Sequence, residues 1–175
     1  MRKNLLLYII PFLLYNTVMT EGSAELKAKG KELLKQQQYR AAIPVFEKLH
    51  ALLPDDVYPL DVLGFLYYMV NRFPEARACC ESSIKLKPDN FYAYKGLGLC
   101  LVRLGDNTAG IEMLKKSISL NPGYFDSYYD LGVTYLELRD YKQARHYFTE
   151  AGKVSQSENA AVKKALAYLD SLEDA

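Results

Sequence analysis

The sequence predicts an all-α fold: an α-solenoid of four helix–turn–helix units closed by one further helix. Three observations carry this. Glycines stand at Gly30, Gly64, Gly98 and Gly132, each 34 residues after the last. Twelve residues on from each comes a small residue (Ala42, Ala76, Gly110, Ala144), and four further an apolar one (Phe46, Cys80, Leu114, Phe148). A proline closes the first three units, at Pro54, Pro88 and Pro122. Self-similarity at such a period is the mark of stacked supersecondary units, each too small to bury its apolar face alone.

Composition fits a globular chain. Of 175 residues, 50% are hydrophobic and 25% charged, and the net charge of +1 gives no bulk attraction to nucleic acid. Tyrosine is abundant at 15 and Trp is absent.

The chain opens with Met1-Arg2-Lys3-Asn4, a short basic start. An uncharged apolar run, Leu5 to Tyr15, and a small-residue neighbourhood, Thr20 to Ala24, follow. This layout predicts a secretory signal peptide over residues 1–22. The run is short for a membrane span, which needs about 20 apolar residues, and Pro11 interrupts it. The alternative is an uncleaved anchor formed by residues 5–19. Without residues 1–22 the basic and acidic side chains are equal in number.

The units are expected at 23–56, 57–90, 91–124 and 125–158. Residues at i, i+3, i+4 and i+7 share a helical face. Leu60, Leu63, Gly64 and Tyr67 have that spacing, as do Tyr128, Leu131, Gly132 and Tyr135. Each glycine is expected where the first helix of a unit presses on the second. Gly costs about 1 kcal/mol relative to Ala inside a helix, so four at one period imply close packing that offsets the cost. Short polar turns separate the two helices of each unit, for example Asn71-Arg72 and Arg139-Asp140. Pro44, beyond the first turn of a second helix, predicts a kink or a delayed helix start. Residues 159–175 carry a capping helix with the apolar stripe Val162, Leu166 and Leu169. Ser155 with Glu158 is a candidate capping box at its start.

On these residues the chain resembles the tetratricopeptide repeat family, from residue 23 to about 158. The fourth unit matches the family pattern well, with Tyr128, Leu131-Gly132, Tyr135, Ala144, Phe148 and Ala151, but has Gln156 in place of the closing Pro. The first departs at Lys29 and Leu33, and the third has Gly110 for the usual Ala. The resemblance implies a right-handed solenoid whose concave face, lined by the first helix of each unit, receives an extended peptide.

Mapped residue by residue, the family's groove positions fall on Lys27, Lys31 and Lys35 in the first unit. The second supplies Tyr58, Asp61, Phe65, Tyr68 and Met69, and the third Tyr92, Lys95, Leu99 and Arg103. The fourth supplies Asp126, Tyr129, Asp130, Val133 and Glu137. This implies a face basic at one end, aromatic in the middle and acidic at the other. Some family members clamp a terminal carboxylate with two Lys, two Asn and one Arg. Here Lys27 and Lys95 match, but Lys31 and Val62 stand where Asn would be and Leu99 where Arg would be, so no such clamp is expected.

Catalysis finds no foothold. The two histidines, His50 and His146, lie in different units, and no metal-spaced cluster or phosphate-cradling loop appears. No cofactor or metal is expected. Cys79, Cys80 and Cys100 are expected mainly as free thiols, although a Cys80–Cys100 bridge is sterically open. The expected function is a non-enzymatic scaffold for a protein or peptide partner, in a bacterial envelope or secreted assembly. The alternatives are a self-assembling structural subunit and a glycan-binding repeat protein.

Overall fold

The structure is a computed structural model and describes residues 22–155 and 159–173. Of the expected signal peptide, residues 1–22, all but Gly22 lie outside the described residues, as does Glu158 of the expected capping box.

Nine helices follow one another among the described residues: α1 (22–35), α2 (Tyr39–Leu52), α3 (Val57–Met69), α4 (Phe73–Leu86), α5 (Phe91–Arg103), α6 (Asn107–Leu120), α7 (Phe125–Glu137), α8 (Tyr141–Val154) and α9 (Ala160–Glu173). No strand occurs among them. From α2 onward each helix packs on its sequence neighbours, and α3, α5 and α7 also touch in succession. α3, α5 and α7 therefore line one wall, each backed by its own partner α4, α6 or α8.

The periodic glycines sit at the contact within each pair. A Cβ on Gly30 would fall 2.6 Å from the Phe46 ring, and one on Gly132 2.7 Å from the Phe148 ring. In the third pair two glycines meet: a Cβ on Gly98 would lie 2.8 Å from the Gly110 carbonyl oxygen, and one on Gly110 2.6 Å from Val102. Gly110 thus replaces Ala because the backbones of α5 and α6 approach too closely for any side chain. Phe46, Leu49, Leu66, Leu114, Leu131 and Phe148 fill the space between helices and are fully buried.

The turn inside each unit repeats to the residue. Gln37, Asn71, Gly105 and Arg139 all have positive φ, between 56° and 91°. The next amide reaches back five residues to a carbonyl: Gln38 to Leu33, Arg72 to Tyr67, Asp106 to Leu101 and Asp140 to Tyr135. This is the Schellman motif, which satisfies the last carbonyls of the first helix. Asp56, Asn90, Asp106 and Asp140 then cap α3, α5, α6 and α8 by accepting backbone N–H groups.

Pro44 delays nothing: α2 begins at Tyr39 and runs unbroken through it. Pro44 and Arg40 are both exposed, so the Arg40 carbonyl that loses its helical donor can turn to water. At α9 the cap is Asn159, whose Oδ1 accepts from Ala161 (2.9 Å) and Val162 (3.4 Å). Val162 and Leu169 of α9 are buried in one cluster with Phe148 and Ala151, covering the last face of the array.

Candidate functional site

Six of the residues expected in the groove converge, Asp61 among them. Phe65 and Tyr68 from α3, with Tyr92, Lys95 and Leu99 from α5, surround one small cavity of about 40 Å³. Gly64, Ala93, Gly96, Cys80 and Asp61 complete its lining, which is almost wholly apolar. A shallower hollow lies beside it, lined by Leu34, Tyr39, Val62, Phe65 and Tyr92. Phe65 and Tyr92 form the ridge between the two.

The walls are held by specific contacts. Tyr39 meets Phe65 edge-on with centroids 5.7 Å apart, and Tyr68 meets Phe73 at 5.5 Å. Arg103 Nε donates to the Tyr68 hydroxyl oxygen at 3.2 Å, and its two terminal nitrogens reach Glu137 at 3.3 Å each. Burial, helped by Asp61 and neighbouring charges, pushes the Tyr92 hydroxyl up to about 12, so it stays a neutral donor at physiological pH.

The expected gradient of charge along the groove is altered by pairing. Lys95 lies 3.6 Å from Asp130 and 3.9 Å from Asp126. Its ammonium also sits 5.3 Å from the Tyr92 ring centroid. Arg103 is committed to Glu137. The basic residues of α5 thus neutralise the acidic residues of α7, and the acidic end is not free.

The remaining expected residues divide. Lys27 rests over the Tyr58 ring, 4.4 Å from its centroid, while Lys31 and Lys35 are exposed on the same face of α1. Among the described residues none of these three lysines has an ion-pair partner. Tyr58 leans on Phe46 in the wall. Tyr129 is stacked on Phe125 at 5.7 Å and tilted against Phe148 at 5.4 Å, so it packs the α7–α8 contact and lines neither of these two hollows. Asp61 reaches the pocket edge with its oxygens already engaged, accepting from Ser83 Oγ at 2.6 Å and from Asn90 Nδ2 at 2.9 Å.

Sequence reasoning missed Gly96 and Cys80. Gly96 is the one α5 glycine outside the 34-residue register; its counterparts are Val62 and Asp130. That departure was the available signal. Cys80 lies beneath it: a Cβ on Gly96 would fall 2.8 Å from Cys80 Sγ. Cys79, Cys80 and Cys100 are all free thiols, and burial pushes the Cys79 thiol up to about 11. Among the described residues no three His, Cys, Asp or Glu side chains are placed to hold a metal ion. None of the described helices is long and apolar enough to cross a membrane.

Sequence models of the tetratricopeptide repeat match residues 33–100, 92–124 and 113–146, which together span most of the described array. The chain belongs to the tetratricopeptide repeat family. One relative is Superkiller complex protein 3 of Mus musculus, 34% identical over 76 residues. That match covers 43% of this chain and only 5% of the mouse protein. Among solved structures, TTC0263, a thermophilic tetratricopeptide protein of Thermus thermophilus, superposes with a TM-score of 0.74 at 20% identity, covering 84% of this chain and 80% of that one. The first tetratricopeptide domain of Spaghetti (RPAP3), bound to the HSP90 peptide SRMEEVD, gives a TM-score of 0.62 at 21% identity, covering 67% of this chain and 94% of that one. At these identities the two structures share the fold.

Proposed function

We propose that this protein is a non-enzymatic scaffold that binds an extended peptide segment of a protein partner along its concave wall. The observation that carries this reading is the convergence of Phe65, Tyr68, Tyr92, Lys95 and Leu99 on one apolar cavity. Aromatic anchors around a small desolvated pocket are the usual composition of a binding hot spot. The peptide-bound Spaghetti domain supports the mode by likeness of fold. The work of the scaffold is to present a preformed groove, so that binding orders the peptide alone.

Selection of short peptides from a random library against the purified protein tests this. Tyr68→Ala with Tyr92→Ala is expected to weaken the selected peptides by roughly tenfold or more, the range of hot-spot truncation. Tyr147→Ala, on α8 against Tyr135, is expected to leave them unchanged. Equal binding by both variants would sink the groove reading.

The basic start and apolar run at residues 2–15 support the further reading that the scaffold is exported and works in an envelope or secreted assembly. N-terminal sequencing of the chain recovered outside the cytoplasm is expected to begin near Ser23. A chain retained in the cytoplasm with Met1 intact would overturn that placement.

A further inference from the structure

Resting on the groove reading, the geometry points to a specific class of peptide: an internal segment with one small aliphatic side chain and carboxylates about four residues away. The aliphatic side chain enters the cavity at Gly96. The carboxylates lie over the lysine row of α1.

The first half follows from the missing side chain. In α3 the position matching Gly96 is Val62, which helps line the neighbouring hollow, and in α7 it is Asp130, which pairs with Lys95. In α5 there is no side chain, and the cavity occupies that stretch of wall. It is closed behind by Cys80 Sγ and walled by Phe65, Tyr68, Tyr92 and Leu99. At about 40 Å³ it has room for a few water molecules, hence for a group near the size of a Val side chain rather than a ring. An apolar lining repays an aliphatic group and penalises a polar one.

The second half follows from the balance of charge. Lys95 and Arg103 are spent on Asp130, Asp126 and Glu137. Lys27, Lys31 and Lys35 lie four residues apart on one face of α1, with no ion-pair partner among the described residues. They form the uncompensated charge of the groove. Neighbouring helix axes lie about 8–10 Å apart. From the α3–α5 cavity to α1 is therefore roughly 12–15 Å, about four residues of extended chain. The terminal-carboxylate arrangement of residues is absent, so the carboxylates are those of Asp and Glu side chains.

The test is a set of synthetic peptides with acetylated and amidated ends. They carry Ala, Val, Leu or Phe as anchor, with an Asp-Glu pair at every offset and matching Asn-Gln controls, and binding is read by fluorescence anisotropy. The wild-type protein is expected to prefer Val, with the acidic pair three to five residues away. Cys80→Ala deepens the floor and is expected to move the optimum from Val to Leu. Gly96→Ala puts a methyl group in the floor and is expected to weaken Val peptides by about tenfold. A thermal melt of each variant confirms folding, and the Cys80→Ala result stands even if Gly96→Ala unfolds. Lys31→Glu with Lys35→Glu is expected to abolish the preference for acid over amide. Equal binding of acidic and amide peptides, or an anchor optimum that ignores Cys80→Ala, overturns the inference. So does a set in which nothing binds. If random-library peptides still need Tyr68 and Tyr92 in that event, the groove reading survives and only the peptide class fails.

Discussion

Asp61 illustrates how a residue's role depends on neighbours distant in sequence. Its position on α3 faces the groove, yet Ser83 and Asn90, both buried, donate to its carboxylate. Asn90 Nδ2 also donates to Ser83 Oγ at 2.8 Å, so Asp61→Ala would strand the Ser83 hydroxyl, and leaving a buried donor unsatisfied costs about 1–3 kcal/mol. Urea unfolding is expected to show a loss of that size. Asp130 is half-buried, and desolvation raises its carboxyl above the ordinary value, with Lys95 opposing. Asp61 is raised by burial in the same direction, against the hydrogen bonds from Ser83 and Asn90. A carboxyl raised on folding binds its proton more tightly in the native state than in the unfolded chain. Its ionisation therefore opposes folding, and stability falls as pH rises from the ordinary carboxylate value, about 4, through the raised one. Urea midpoints measured across that window should fall less steeply with pH in Asp130→Asn than in the wild type. Parallel profiles would refute the assignment.

At the scale of the element, the turn between paired helices is the most regular device in the chain. Four residues adopt a left-handed conformation at one register, but only Gly105 is a glycine. For an L-residue that conformation costs roughly 1–2 kcal/mol, which glycine avoids. Arg139 is exposed, so Arg139→Gly is expected to stabilise by about 1 kcal/mol in urea unfolding. Gly98→Ala should go the other way. Helix propensity alone favours Ala by about 1 kcal/mol. Here the new methyl would meet the Gly110 carbonyl oxygen at 2.8 Å, and that backbone cannot swing aside as a side chain would. Overpacking of this kind costs typically about 1–3 kcal/mol or more, so a net loss is expected.

The whole molecule is held pair by pair, and each pair is completed by the next. α9 serves this purpose for α8, with Val162 and Leu169 buried beside Phe148 and Ala151. Truncation after Ser155 uncovers that face. The shortened chain is expected to melt at lower temperature and to bind the apolar dye ANS, whereas an unchanged melt would show that α9 is dispensable. The same nearest-neighbour architecture forms the groove. α3 and α5 build the cavity because they are adjacent first helices, and α7 reaches α5 closely enough to neutralise its cations.

The sequence by itself determined the period, the helix pairs and the faces they bury. These depend on the spacing of Gly, small and apolar residues along one chain, and local rules of helix geometry convert that spacing into packing. Through the family resemblance that this register carries, it also marked Phe65, Tyr68, Tyr92, Lys95 and Leu99, with the other groove positions, as expected on the concave wall. Only the tertiary structure decided which of those positions remain available. Asp61, Tyr129, Asp126, Asp130 and Glu137 are engaged by residues from other helices, and such pairing depends on distances between helices that no spacing along one helix encodes. The cavity at Gly96 has the same origin: a glycine out of register is visible in the sequence, but that it opens on Cys80 depends on how closely α3, α4 and α5 pack.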